Sequence, residues 1–242
     1  MLSLTFFNRS FTPRWTMICL ALVSFCLFIS LGFWQLKRAE EKRDTLMKYN
    51  SLSSQSSLVR VDKGRLPENF QPIQLKGVYL PFVLYLDNQF YHHNIGYDVL
   101  TPFLLQDGNI VLIDRGWIQA LSTRDTLPKI QTPSDLLTVR GYVYYPPRKS
   151  WFLGQLFERK NSSLAVIEYI DPKLISQFLH KSAYPFIIRL NQNDAHGFVR
   201  EWPITNFSPE RHIGYAIQWF GFALVTILLF LALNLKKYNE KV

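Results

Sequence analysis

WTMICLALVSFCLFISLGFWQL, Trp15–Leu36, contains no charged side chain, and IGYAIQWFGFALVTILLFLALNL, Ile213–Leu235, repeats that character near the other end. At about 1.5 Å of rise per residue each run makes roughly 33–35 Å of helix, enough to cross a hydrocarbon layer of about 30 Å. A bilayer accepts such segments because a helix satisfies its own backbone hydrogen bonds. The pattern predicts an α+β membrane protein in which two transmembrane helices anchor a mainly antiparallel β barrel or sandwich with a short helix. The expected boundaries are a cytoplasmic tail over residues 1–14, spans over 15–36 and 213–235, an extracytoplasmic (periplasmic) β-rich domain over 37–212, and a cytoplasmic tail over 236–242.

The stretch between the spans is long enough for one domain with its own core. The net charge of +9 is spread, with 22 Lys+Arg against 17 Asp+Glu in the middle region. No basic stripe with interleaved aromatics appears, so no nucleic-acid partner is expected. The tails supply Arg9, Arg14, Lys236, Lys237 and Lys241. Short basic flanks favour the cytoplasm, which places both termini there and the domain outside. Lys37, Arg38, Lys42 and Arg43 argue the other way, although Glu40, Glu41 and Asp44 lie among them. Cys19 and Cys26 are two helical turns apart, roughly 10 Å, too far for a disulfide between them. No small-x-small cleavage pattern follows the first run, so it reads as an anchor. The short basic segment before it resembles a bacterial inner-membrane protein more than one with a transit peptide.

Helix formers continue from Gln35 to about Tyr49, and Ser51–Ser57 reads as a polar linker. Strands are expected over Ile73–Tyr79, Phe82–Leu86, Tyr97–Leu105, Ile110–Ile118, Val139–Tyr145, Ala165–Ile170 and Phe186–Leu190. Asp87-Asn88 reads as a turn, and Gln106–Asn109 as the tip of a hairpin. Asp171-Pro172 reads as an N-cap followed by proline at the first helical position, opening a helix to about His180.

The chemistry gathers at the ends of the spans. On a helix, His212, Tyr215, Ala216 and Trp219 fall on one face. Gln218 is an amide at membrane depth that should seek a partner on another helix. The first span offers Gly32, Trp34, Gln35 and Arg38 at the same depth. Together they would make a pocket that is oily inside and cationic at its rim. A neutral imidazole there suits a haem iron as an axial ligand, with Arg38 or Arg211 meeting propionates. The plainer reading is an interfacial aromatic belt and a histidine that snorkels to water.

Gly32-Phe-Trp-Gln-Leu-Lys-Arg38 with Lys42, and His212-Ile-Gly-Tyr-Ala-Ile-Gln-Trp-Phe220, resemble the two span signatures of the Surfeit-locus-one family of cytochrome c oxidase assembly factors. Leu86-Asp-Asn88, Gly96–Pro102 and Val111–Trp117 resemble its domain motifs, in order. The resemblance runs from about Gly32 to Ala223. It implies a role in assembling a haem-copper terminal oxidase without an enzymatic activity, and haem a binding through His212. It also implies delivery to cytochrome c oxidase subunit I, with haem a synthase and other assembly factors as further partners besides the lipid bilayer. The candidate cofactor-binding residues are His212, Tyr215, Trp219, Gln218, Trp34, Gln35 and Arg38, with His212 as the iron ligand. Gln89, Asp114 and Arg211 depart from the family pattern, and no family role is carried over to them.

Other candidates carry less. His92-His93 would point to opposite faces of a strand, which does not make a metal site. His180 and His196 read as surface residues. Asp87, Asp98 and Asp114 lack the spacing of an acid pair, and turn or cross-strand roles fit them better. Asp114-Arg115 reads as a local ion pair, with Arg115 and Trp117 available for docking if they face outward. No nucleophile elbow or phosphate loop is present. Two other functions compete with haem handling. One is a cofactor-free scaffold that binds oxidase assembly intermediates through the outer domain. The other, a two-span receptor, is disfavoured because the tails are too short for a signalling module.

Overall fold

In a computed structural model the chain divides into two compact units, Met1–Met47 with Ile204–Val242, and Lys48–Pro203. Residues 4–6, 9–11, 13–53, 66–123, 126–147, 157–202, 204 and 207–237 are described. The expected linker positions 54–57 and the tail cation Lys241 lie outside them.

The first unit is built on two helices. Strands β1 (Leu4–Phe6) and β2 (Arg9–Phe11) precede α1 (Trp15–Ser53), which runs on past Tyr49 as its helix formers require. The last helix, α3, covers Pro209–Asn234, and β11 covers Leu235–Lys237. Strand β2 pairs antiparallel with both β1 and β11, so the start of α1 and the end of α3 lie at the same end of the unit. The helices are antiparallel, because contacts descend along α3 as they climb α1. Ile18 and Phe25 share a groove with Thr226 and Phe230, Phe28 meets Trp219 and Phe222, and Gly32 lies under Phe220. A methyl group on Gly32 would stand 2.4 Å from the Phe220 ring, so this crossing needs a residue without Cβ. Both helices are long and apolar enough to anchor the chain in a membrane.

The second unit is β-rich. Its elements are β3 (Pro72–Tyr79), β4 (Val83–Tyr91), β5 (Asn94–Leu105), β6 (Ile110–Gln119), β7 (Leu137–Tyr144), β8 (Phe157–Asn161), β9 (Leu164–Ile167), α2 (Pro172–Leu179) and β10 (Ala183–Leu190). Neighbours run β3-β7-β10-β6-β5, and β5 returns to β3, which closes a five-stranded barrel. The sheet continues from β5 through β4, β9 and β8. Pairing is antiparallel except at β6–β10 and β4–β9.

The barrel is filled by Ile73, Phe103, Val111, Ile113, Val143, Phe186 and Ile188. On the other face of the same strands Leu100, Leu112 and Ile187 meet Ile175 of α2. Because β6 is covered on both faces, its apolar run Ile110–Ile113 is unbroken instead of alternating. Helix α2 starts as expected: the Asp171 carboxylate accepts hydrogen bonds from the backbone of Lys173 at 2.9 Å and Leu174 at 3.4 Å, and Pro172 follows it.

Three local readings need correction. Asp87-Asn88 is a bulge inside β4, with Asn88 at φ 59° and a register shift between Leu86 and Gln89. The turn is His92-His93, both at positive φ (44° and 65°), the geometry of a two-residue hairpin whose turn matches strand twist. Strand β8 carries four exposed positions out of five, so no apolar alternation marked it.

Gly116 supplies a second glycine requirement. Its φ is 111°, and an added Cβ would lie 2.5 Å from the Val199 carbonyl oxygen, where the Trp117 amide hydrogen-bonds Val199. Gly108 also has a positive φ, 84°, but open space around it. Gly116→Ala therefore adds a clash to backbone strain and is expected to cost at least about 2 kcal/mol. Gly108→Ala is expected to cost about 1 kcal/mol. Thermal unfolding of the two full-length variants, read from the strand signal in circular dichroism, should place Gly116→Ala clearly lower.

Candidate functional site

Ser208 is extended at the N-cap of α3 and Pro209 occupies the first helical position, so His212 sits in the first turn of the helix. The side chains at N′ and N4 of such a start pack together, and here they are Phe207 and His212, with ring centroids 6.3 Å apart at 87°. The Arg211 guanidinium lies over the Phe207 ring at 5.7 Å.

From α1, Gln35 meets the imidazole. His212 Nδ1 and Gln35 Oε1 are 2.8 Å apart. A carbonyl oxygen only accepts, so Nδ1 is the donor in this pair, and in the neutral imidazole the lone pair then stands on Nε2. Nε2 is buried and has no hydrogen-bond partner among the described residues. An uncompensated buried nitrogen is costly, of order 1–3 kcal/mol. Gln35 lies 20 residues beyond Trp15, about 30 Å along the helix, so the pair sits at the end away from the β1–β2–β11 sheet.

The seven candidate residues separate. His212 and Gln35 are brought together. Trp219 is half-buried and stacks on Phe28 at 5.8 Å and 23°, one side of the same helix interface that Ala216 closes at 1% exposure. Tyr215 is 51% exposed, Trp34 49%, and Gln218 is exposed, so these three occupy outward faces. Arg38 stands over the Trp34 ring at 5.6 Å and pairs with Glu41 at 2.7 Å, one turn beyond Gln35. Phe207, Phe28 and Phe220 complete the surroundings and were not singled out by sequence. The Ser208-Pro209 start signature is the signal that locates Phe207, because it fixes the N′ and N4 positions.

What the site can do follows from its atoms. It offers a ring nitrogen held in orientation from its far side, against the Phe207 ring, with Arg211 next to the histidine and Arg38 one turn beyond Gln35. Ligating histidines are held in this way, with the second ring nitrogen donating to an oxygen. The residues therefore fit an axial ligand for a haem iron. Cys19 and Cys26 are free and exposed. Among the described residues no cluster of three or more His, Cys, Asp or Glu could hold a metal ion.

The β unit holds a separate charged group. Asp98 and Asp114, expected in independent roles, act on one another electrostatically, with Arg189 acting on both. Burial raises the Asp98 carboxyl to about 6 against the pull of Arg189. Burial and then the Asp98 charge push Asp114 well above the carboxylate range, while Arg189 and the Gly116 amide oppose this. Arg189 packs over Tyr144 at 3.7 Å and Trp202 at 5.1 Å. The expected Asp114–Arg115 pair does not form, because neighbours in a strand face opposite ways. Arg115 points to the barrel side, 2% exposed, where it donates to the carbonyl oxygens of His196 at 2.8 Å and Gln131 at 3.1 Å. It is not a docking residue. His92, His93, His180 and His196 are exposed.

A carboxyl group whose pKa is higher in the fold than in the unfolded chain binds its proton more tightly when folded. Its contribution is present at low pH and is lost as pH rises through the folded value. Stability of the β unit should therefore fall as pH rises from about 4 through about 6, and further where Asp114 loses its proton. Asp98→Asn should flatten that fall and raise the unfolding midpoint at pH 8, measured on the full chain in detergent.

Comparison with known proteins agrees with these features. The model of the SURF1 family matches residues 22–224. A SURF1-like protein of Rickettsia felis is 29% identical over 218 residues, covering 86% of this chain and 92% of its own length. A SURF1-like protein of Rickettsia conorii is 28% identical over 220 residues, covering 87% and 88%.

Proposed function

Since the chain belongs to the SURF1 family, a family that acts in general in cytochrome oxidase assembly and is not a catalytic one, we propose that it binds haem a and helps deliver it to subunit I of cytochrome c oxidase. The observation that carries this reading is the buried Nε2 of His212, unpartnered among the described residues, with Nδ1 held by Gln35. Haem a, when bound, supplies an iron that takes a neutral imidazole nitrogen as axial ligand.

The residues of this chain then have separate tasks. His212 offers Nε2. Arg38 and Arg211, beside the ligand on the two helices, would meet propionates. Phe207 packs against His212, and Phe28 with Trp219 form an apolar stretch about two turns away, surroundings that would suit a poorly soluble porphyrin with an isoprenoid tail. Haem a synthase would be the donor of this cargo.

The proposed setting is a bacterial inner membrane spanned twice, with both termini cytoplasmic and the β unit periplasmic. The pairing of β2 with β11, which puts the start of α1 and the end of α3 at one end of the helix pair, supports only that the two termini share a side. A reporter fused after Val242 should be active in the cytoplasm, and one inserted near Ser54 outside. The reverse pattern would contradict the arrangement.

A second reading, a cofactor-free scaffold, draws on the tip of the β4–β5 hairpin. Phe90 is 70% exposed, and its cross-strand neighbour Ile95 is 39% exposed. Such an apolar pair suits a protein partner. Purification from cells that make haem a, followed by reduced-minus-oxidised spectra, separates the two. Haem near one per chain, lost at least tenfold in His212→Ala with an unchanged unfolding midpoint, is the outcome expected of a carrier. Wild-type protein free of haem, with oxidase assembly lost in Phe90→Asp, would establish the scaffold instead.

A further inference from the structure

We infer that Gln35 is a positioning residue: its side-chain amide selects the nitrogen that His212 presents and keeps the imidazole a moderate donor, making the site one of transit instead of permanent residence. The inference rests on the haem reading above. Gln35 touches the far side of the ring, at Nδ1, and so acts through His212.

Two features of the structure give it that role. The first is geometric. His212 lies on α3 and Gln35 on α1, so the ring is fixed only where the helices pack closely. Gly32 under Phe220 and the buried Ala216 secure that approach one turn away. No other hydrogen bond joins the two helices among the described residues. An amide in this environment gains from such a bond, which favours one rotamer and one tautomer.

The second feature is electronic. The group hydrogen-bonded to a ligating histidine tunes the basicity of its metal-bound nitrogen. A carboxylate pulls the Nδ1 proton strongly and makes the other nitrogen a strong donor that favours ferric iron. A neutral amide oxygen pulls less. Gln35 thus orients the ring without adding charge, and no carboxylate contacts the ring among the described residues. A carrier needs this balance, since a ligand held too firmly would resist transfer.

The test uses full-length wild type, Gln35→Leu and the isosteric Gln35→Glu, each loaded with haem a in detergent. Transfer to excess apomyoglobin gives the dissociation rate, and a redox titration followed by absorbance gives the midpoint potential. Gln35→Leu removes the acceptor and should release haem roughly 10–100-fold faster. Gln35→Glu should release it about tenfold more slowly and shift the midpoint potential downward. If Gln35→Leu fails to fold, Gln35→Glu decides alone, since it preserves shape. Unchanged release and potential in Gln35→Glu, or faster release from it, would overturn the inference while leaving haem binding in place. Wild type that takes up no haem would overturn the function itself.

Discussion

The close crossing of two apolar helices at Gly32 is the constraint on which the candidate site depends. In lipid there is no hydrophobic gain from bringing helices together, so association relies on dense packing and a few polar contacts. The covered positions of α1 include Ile18, Ala21, Phe25, Phe28, Gly32, Gln35 and Ala39, a row spaced alternately by three and four residues. That spacing is the seam of a left-handed helix pair. Ala216 and Ala223 on α3 are 1% and 2% exposed and one heptad apart. A wider crossing would leave Gln35 and His212 out of reach, and the ring would then find water or lipid instead of an amide.

The β unit solves a different problem. Its sheet is buried on two faces, by the barrel interior and by α2, so any charge on those strands must be accommodated inside. Arg115 meets this need at the end of the barrel with backbone carbonyl oxygens and the faces of Tyr79 and Phe198, at 5.4 and 5.0 Å. Asp98 and Asp114 meet it by holding protons more tightly than a free carboxyl would, close to Arg189. The barrel is thus stabilised by apolar packing, with polar groups satisfied locally.

Much of this was legible in the sequence because the signals were local. Two uncharged runs gave the helices, Asp171-Pro172 gave the start of α2, and Gln106–Asn109 gave a hairpin. The signature around His212 identified the ligand candidate. The failures were non-local. Asp87-Asn88 has the composition of a turn, but a bulge uses the same residues, and only the pairing of β4 with β5 distinguishes them. His92-His93 lacks glycine and asparagine, so its left-handed backbone was hidden. Asp98 and Asp114 stand 16 residues apart and meet only because β5 pairs with β6. At the site, helical periodicity put His212, Ala216 and Trp219 on one side correctly. It could not tell that Tyr215 falls at the margin, because that depends on where α1 crosses.

Three buried polar atoms lack a partner among the described residues: Tyr79 Oη, Arg189 Nε and His212 Nε2. They are not equivalent. Arg189 belongs to a delocalised cation whose plane rests between Tyr144 and Trp202, so its charge is compensated by ring faces. Tyr79 has its phenol raised to about 12 by burial, so its oxygen keeps its proton beneath the Arg115 guanidinium. Both atoms carry hydrogen. In the neutral imidazole His212 Nε2 carries none, because the proton is then on the nitrogen that faces Gln35. A bare lone pair in an apolar setting is satisfied by a donor hydrogen or a metal ion, and no described residue supplies the donor. This difference in proton placement, more than burial alone, sets the imidazole apart as a ligand.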